Sequence, residues 1–308
     1  MNQSSIPTDA LVERRQLKRR LILWRVVGIT SFCLFLMALL FPAIPTTRIT
    51  GEDHIARFAI EGIIADTALQ IERLDEIAQA DEARALLLHI NSPGGTITGS
   101  ESLFNAVRRV AVKKPVAVIM NDIAASGGYI VAIAGDHIFA RHNTITGSIG
   151  VIFQWFEARE LVENIGIRPY TIASGPLKAQ PNLFESPSEE ALEVTRESVE
   201  EAFQWFVALV AERRGFERAQ ALRLADGRIY TGGRAIEIDL IDQIGEEHDA
   251  LAWLDDIHNI QPDIGILDWS ISPWDEVWRI EPDTLVLRLL GRQDISLRGL
   301  ISLWAPGT

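Results

Sequence analysis

The 308-residue sequence has a single cysteine, Cys33, which excludes an intramolecular disulfide framework and any cysteine-based metal cluster. It contains no H-E-x-x-H and no clustered His and carboxylate spacing, so metal-assisted hydrolysis has no ligand set and no cofactor is implied. None of its six histidines sits in a recognisable triad motif, and there is no G-x-S-x-G elbow. Internal repeats and low-complexity stretches are absent as well. Basic residues are scarce beyond the amino terminus. Residues 1–48 carry seven Lys/Arg against two Asp/Glu, which leaves 22 against 40 in residues 49–308, a net of −18. A body so acidic is a poor binder of nucleic acid, because phosphate affinity rests on clustered Lys and Arg. Lysine is scarcest of all: after Lys113-Lys114, Lys178 is the only one left.

What is present is enough for a packed core, with 47% hydrophobic and 23% charged residues over a length that suits one large or two modest domains. Residues 26–44 form a run of 19 without a charge, sufficient to cross a bilayer as a helix. Arg14, Arg15, Lys18, Arg19, Arg20 and Arg25 precede that run, and only Arg48 follows it closely. The positive-inside rule leaves the amino terminus in the cytoplasm and sends the body across the membrane, to the periplasm or the cell exterior. No A-x-A pattern follows the run, so an uncleaved anchor is expected rather than a signal peptide. The expected organisation is a basic segment over 1–25, an anchor over 26–44, a linker over 45–55, a catalytic body over 56–260 and an extension of unassigned role over 261–308.

Within the body, strands are predicted at residues 57–64, 85–90 and 115–120, alternating with helices at 68–80, 97–112 and 129–134. Asn91-Ser92-Pro93-Gly94-Gly95 is expected to break the second strand sharply. The order β-α-β-α-β-α predicts an α/β fold with a largely parallel sheet and crossover helices. Ligand sites in such sheets lie at the carboxyl ends of strands, where Gly94-Gly95 and Ser126 both fall. Further on, helices are predicted at 155–165 and 246–258, extended chain at 168–173, and turns at Asp226-Gly227-Arg228 and Gly232-Gly233. A long helix starts with Ser186 as N-cap, Pro187 in first position and Glu189 completing a capping box, and ends at Gly215.

Ser126 sits where an apolar strand meets a helix, between Ala125 and Gly127-Gly128. A helix start offers free N–H groups and a positive dipole end, which suits a nucleophile and its oxyanion. It equally suits a plain helix cap. His89 lies in an apolar strand and reads as a satisfied core histidine. Lys178, between Gly175-Pro176 and Pro181, reads either as a surface charge or as a base whose ammonium is penalised by burial.

Four motifs in order narrow these choices. Asn91-Ser92-Pro93-Gly94-Gly95, Ala124-Ala125-Ser126-Gly127-Gly128-Tyr129, Ile145-Thr146-Gly147-Ser148-Ile149-Gly150-Val151 and Ser174-Gly175-Pro176-Leu177-Lys178 resemble the signal peptide peptidase A (protease IV) family in its short, single-catalytic-domain form. Ala225-Asp226-Gly227-Arg228 and Ile241-Asp242-Gln243-Ile244-Gly245 extend the likeness. The resemblance implies a Clp-protease/crotonase-like fold and a Ser–Lys dyad. By carry-over Ser126 is the nucleophile, Lys178 the general base and then acid, and Ser148 the hydroxyl that positions the lysine. The backbone N–H groups of Gly95 and Gly127 form the oxyanion hole. The family often has three glycines where this chain has Gly94-Gly95-Thr96, which leaves Gly94 and Gly95 as alternative donors.

The expectation is therefore a membrane-anchored serine endopeptidase of the bacterial inner membrane, acting on signal peptides or other membrane-derived peptides. The resemblance also implies a ring-shaped homo-oligomer in which lysine and serine come from adjacent subunits. Two rival readings are a crotonase-like acyl-CoA enzyme, which the acidic exported body disfavours, and a non-catalytic membrane scaffold.

Overall fold

The computed structural model describes residues 20, 23–33, 35, 51–65, 67–271 and 301–303. The chain divides into two units, Met1–Gly51 and Glu52–Thr308. In the first, residues 23–33 are helical and exposed. Residues 1–19, 21 and 22 of the expected basic segment, and residue 34 and residues 36–44 of the expected anchor, lie outside the described residues. Among the described residues no helix is long and apolar enough to cross a membrane.

The second unit is built on one sheet in which parallel pairs dominate. The strands are β1 His54–Ile64, β2 Ala83–Thr96, β3 Val116–Ala125, β4 His137–Ala140, β5 Ile145–Gly147, β6 Ile229–Thr231, β7 Gln243–Ile244, β8 Ile266–Asp268 and β9 Ile301–Leu303. The main path runs β6-β5-β3-β2-β1-β8, β4 pairs β3 and β7, and only β5·β6 and β2·β9 are antiparallel. The helices are α1 Ala68–Gln79, α2 Ile97–Ala111, α3 Gly127–Ala132, α4 Arg159–Asn164, α5 Glu189–Arg214, α6 Arg218–Leu224, α7 Gly232–Glu237 and α8 Glu247–His258.

Alternation along the strands sends side chains to two faces, and both are covered. Phe58, Leu86, Leu88, Val116 and Val118 pack with Leu74 and Ile77 of α1 and Leu103, Val107 and Val110 of α2. Ile55, Leu87, Ile119 and Phe139 meet Ala250 and Leu254 of α8 on the other face. This is the layered α/β architecture that the β-α-β-α-β-α order predicts. The sheet also takes in residues 266–268, since β8 pairs with β1.

Several local expectations need correction. β2 is not broken at Asn91 but continues to Thr96, with its pairing slipping between Ile90 and Ser92 against β3 and between Glu61 and Ile63 on β1. The Ser92 hydroxyl bridges the slip, donating to Gly62 O (2.6 Å) and accepting from Gly94 N (3.1 Å). The long helix is capped by Ser188, whose Oγ accepts from Ala191 N (3.1 Å), a contact worth about 1 kcal/mol. Ser186 donates instead to Glu157 Oε1 (2.6 Å). Gly232-Gly233 opens α7 under a Thr231 cap rather than forming a turn. Residues 168–173 join none of the described strands, and the helix expected over 155–165 is reduced to Arg159–Asn164, all of it on the surface.

Candidate active site

Three strand ends converge on Ser126. β3 delivers it directly: Ser92 pairs with Ala124, Ala125 pairs with Gly147, and the Ser126 N–H donates to Gly147 O (2.8 Å). The residue then turns into α3 as its N-cap, with φ 54° and ψ −117°, a conformation that L-residues seldom adopt outside functional sites. It is only 1% exposed. Tyr129 anchors the helix behind it, donating its phenol to Leu240 O (2.9 Å), and burial pushes that phenol's pKa up so that it stays neutral.

Gly127 and Gly95 lie against one another. A Cβ placed on Gly127 would stand 2.3 Å from Ser100 Oγ and 3.1 Å from Gly95 N, so only glycine lets α3 start this close to β2. A Cβ on Gly95 would meet Ile64 O at 1.8 Å. The neighbouring Gly94 N–H is already given to Ser92 Oγ. Thr96, which stands where the resembled family often has a third glycine, caps α2 by accepting from Gly99 N (3.1 Å), and its carbonyl accepts from Ser100 Oγ (2.9 Å). The helix start is thus fixed by the residue that departs from the glycine run.

Ser148 follows β5 directly. It is 8% exposed, has φ 50°, and donates its N–H to Arg228 O (2.8 Å). The Asp226-Gly227-Arg228 turn therefore braces it, through antiparallel pairing of Gly147 with Ile229. Asp226 accepts from Arg228 N–H and guanidinium groups, which lowers its pKa and keeps the turn's charges paired. Thr146 Oγ1 donates to Ala124 O (2.8 Å) and binds β5 to β3 just before both serines.

Lys178, unlike the buried Ser126 and Ser148, is exposed. It lies on an exposed turn in which its own N–H donates to Gly175 O (3.2 Å). His89, expected to be a core histidine, is turned to the α8 face, where its Nε2 lies 2.9 Å from Glu247 Oε2. Ser92, Ser100 and Thr146 are structural members that the sequence analysis did not single out. Ser92 and Thr146 lay inside quoted motifs, whereas nothing in the order of residues marked Ser100.

Residues 108–261 match Peptidase family S49, half of the chain, and residues 58–146 match Clp protease. A Synechocystis protein named "Putative protease slr0021" is 33% identical over 245 residues, 79% of this chain and 85% of that one. The chain belongs to peptidase family S49. Membership makes it a serine-type peptidase, a hydrolase, and the parallel-dominated sheet agrees with the Clp-protease match. Other relatives in this group are "Putative protease MJ0651" of Methanocaldococcus jannaschii, 36% identical over 63% of each chain, and "Putative signal peptide peptidase SppA" of Enterococcus faecium, 37% identical over 65% of this chain and 62% of the relative. The match thus spans less than two thirds of the length of these last two. In S49 terms the buried serine at the β3–α3 turn is the nucleophile candidate.

Proposed function

We propose that this chain is a membrane-anchored serine endopeptidase in which Ser126 attacks the scissile carbonyl and Lys178 takes the Ser126 proton and returns it to the leaving amine. The observation that carries this reading is the Ser126 turn itself. A buried serine held at positive φ on a helix start faces a glycine strand end whose amide lies beside the helix's first residue. Backbone N–H groups at Gly95 and Gly127 suit an oxyanion that develops between them, and Gly95 is favoured over Gly94 because the Gly94 N–H is engaged by Ser92. Losing one such donor typically costs about 3 kcal/mol of transition-state stabilisation.

The base is completed by a second copy of the chain. Lys178 is carried on a surface segment that exposes Phe156, Leu161, Tyr170 (86%) and Ile172 (102%). So much exposed apolar area marks an interaction surface, which supports a ring-shaped homo-oligomer with shared sites. Residues 26–44 supply a single-pass inner-membrane anchor with the amino terminus inside, so the substrates are signal peptides or other membrane-derived peptides. The deciding experiment is cleavage of extended apolar peptides by the full chain in detergent beside Ser126→Ala and Lys178→Ala. Both variants lose turnover on this reading. A Lys178→Ala protein with undiminished turnover overturns the dyad, and a wild-type chain without turnover returns the scaffold reading.

A further inference from the structure

Ser92 touches each of the elements that build the Ser126 turn. It pairs with Ala124 of β3, two residues before the nucleophile. Its carbonyl lies 2.6 Å from the place a Cβ would take on Gly128, the second residue of α3. Its hydroxyl, fully buried, reaches into the slip between β1 and β2. There it ties together two glycines in the left-handed region, Gly62 at φ 70° and Gly94 at φ 107°. Ser92 Oγ donates its one proton to Gly62 O (2.6 Å) and accepts from Gly94 N (3.1 Å). Gly94 O stands 3.5 Å away, too far to compete for that proton.

With the φ of Pro93 fixed by its ring, the Pro93–Gly94 peptide turns on Pro93 ψ and Gly94 φ alone, and the bond to Ser92 Oγ holds both. A glycine pair without such a tie can rotate its peptides at little steric cost, because neither residue carries a Cβ. The Gly94 and Gly95 amides would then compete to face the oxyanion. With the Gly94 N–H committed to Ser92, the choice is made before substrate arrives. A donor fixed in advance is worth more to a transition state than one that must reorganise.

We propose that Ser92 is the positioning residue of the oxyanion hole: its hydroxyl holds the Gly94 amide away from the reaction and so sets the Gly95 N–H toward the oxyanion. The proposal rests on the peptidase reading above and deepens it, since it gives a catalytic consequence to a side chain that touches no reacting atom.

The test is Ser92→Ala in the full chain, with rates expressed per active site titrated by a fluorophosphonate. An N–H turned aside rather than deleted forfeits part of what an oxyanion donor contributes, so kcat falls about 10- to 100-fold while KM stays unchanged. The second readout is a peptide boronic acid, which bonds to a serine Oγ without a leaving group and sets a boron hydroxyl where the oxyanion forms. Its Ki rises by the same factor as kcat falls. The Kd of the parent peptide for the Ser126→Ala chain is the same with and without Ser92→Ala. Ser92→Cys keeps a weak donor and acceptor in place, gives a smaller loss on both readouts, and replaces the alanine variant should that one fail to fold. A merely structural Ser92 leaves fewer titratable sites and a lower melting temperature, with kcat per site and boronate Ki unmoved. That outcome overturns the proposal, as does equal weakening of the boronate and the parent peptide. The Ser126→Ala control separates the two failures. Equal turnover in wild type and Ser126→Ala sinks the peptidase reading, whereas a Ser126-dependent activity indifferent to Ser92→Ala sinks only the role of Ser92.

Discussion

Residues 116–150 and residues 152–186 are built in opposite ways. The first stretch buries Val118, Met120, Tyr129, Ile130 and Phe139, and pins each turn by pairing to a neighbouring strand or by a side-chain hydrogen bond. The second has one six-residue helix, closes largely on itself through Ala158 N to Leu183 O (2.7 Å) and Gln180 Nε2 to Glu185 Oε2 (2.7 Å), and leaves its large apolar side chains facing outward. Ser126 stands on the pinned part and Lys178 on the surface part. A nucleophile has to be held at a fixed strained geometry, which a sheet does within one chain. A base carried on an uncovered arm acquires its surroundings only when something packs against that arm.

The largest expected effect tests that division directly. Ser126→Ala and Lys178→Ala each lower kcat by about 10⁴-fold or more, as removal of a nucleophile or its base does elsewhere. Co-assembled, the two inactive chains recover part of the activity, because some interfaces pair an intact serine with an intact lysine. No recovery in demonstrably mixed oligomers would place both residues on one chain and erase the contrast between the two regions.

The next effect is confined to the pinned region. Gly127→Ala drives a methyl into Ser100 Oγ and toward Gly95 N, so kcat should fall about 10²–10³-fold, the range for losing an oxyanion donor. Pairing it with Ser100→Gly removes the nearest clash and recovers part of the loss. If the double variant is no better than the single, the 3.1 Å approach to Gly95 N is the limiting contact.

How far all this was legible in the sequence follows the same boundary. The middles of β1, β2 and β3, with α1 and α2 and the Ser126 turn, read directly from apolar runs, because burial in a parallel sheet leaves a continuous hydrophobic signature. β6 to β9 are two- and three-residue strands with no such run, and none was expected. The slip in β2 was not legible either, since Ser92 hydroxyl bonds replace ladder bonds there and the residues still look like a turn. Ser188 displaced Ser186 as the cap because Glu157, 29 positions away, takes the earlier hydroxyl. Residues 168–173 read as extended chain by composition, and whether such a segment joins a sheet is a tertiary property that composition does not contain; here it pairs with none of the described strands. Lys178 was found by its scarcity and its motif; where it acts is a question of assembly.

A smaller effect belongs to Ser148. Its backbone is fixed by Arg228 O, so Ser148→Ala leaves the fold intact and removes only the hydroxyl that orients the lysine. General-base contributions run to about 10²–10⁴, and loss of an orienting group should cost roughly tenfold of that in kcat with KM and melting temperature unmoved. A change in KM alone would make Ser148 a substrate contact instead.

The smallest effect is one of stability and should touch the pinned region only. His137, on β4, has a buried Nε2 without a hydrogen-bond partner among the described residues, and its ring lies 4.7 Å from Phe139 and 5.1 Å from Trp253. Burial lowers its pKa below the usual 6.5, and Asp242 and Gln243 only partly counter that. The unfolded chain therefore takes up the proton first as pH falls. The stability that the neutral ring contributes is complete above about pH 6.5 and is lost as pH falls from there through the depressed native value. His137→Phe keeps a ring in the stack and removes the titration, so the drop in melting temperature between pH 7.5 and pH 5 should shrink by about 1–2 °C relative to wild type. Per-site activity, corrected for folded protein, should keep its pH profile, because His137 braces the sheet and does not touch the lysine arm. A variant that alters that profile while leaving the melting curves parallel would show that the two regions are coupled after all.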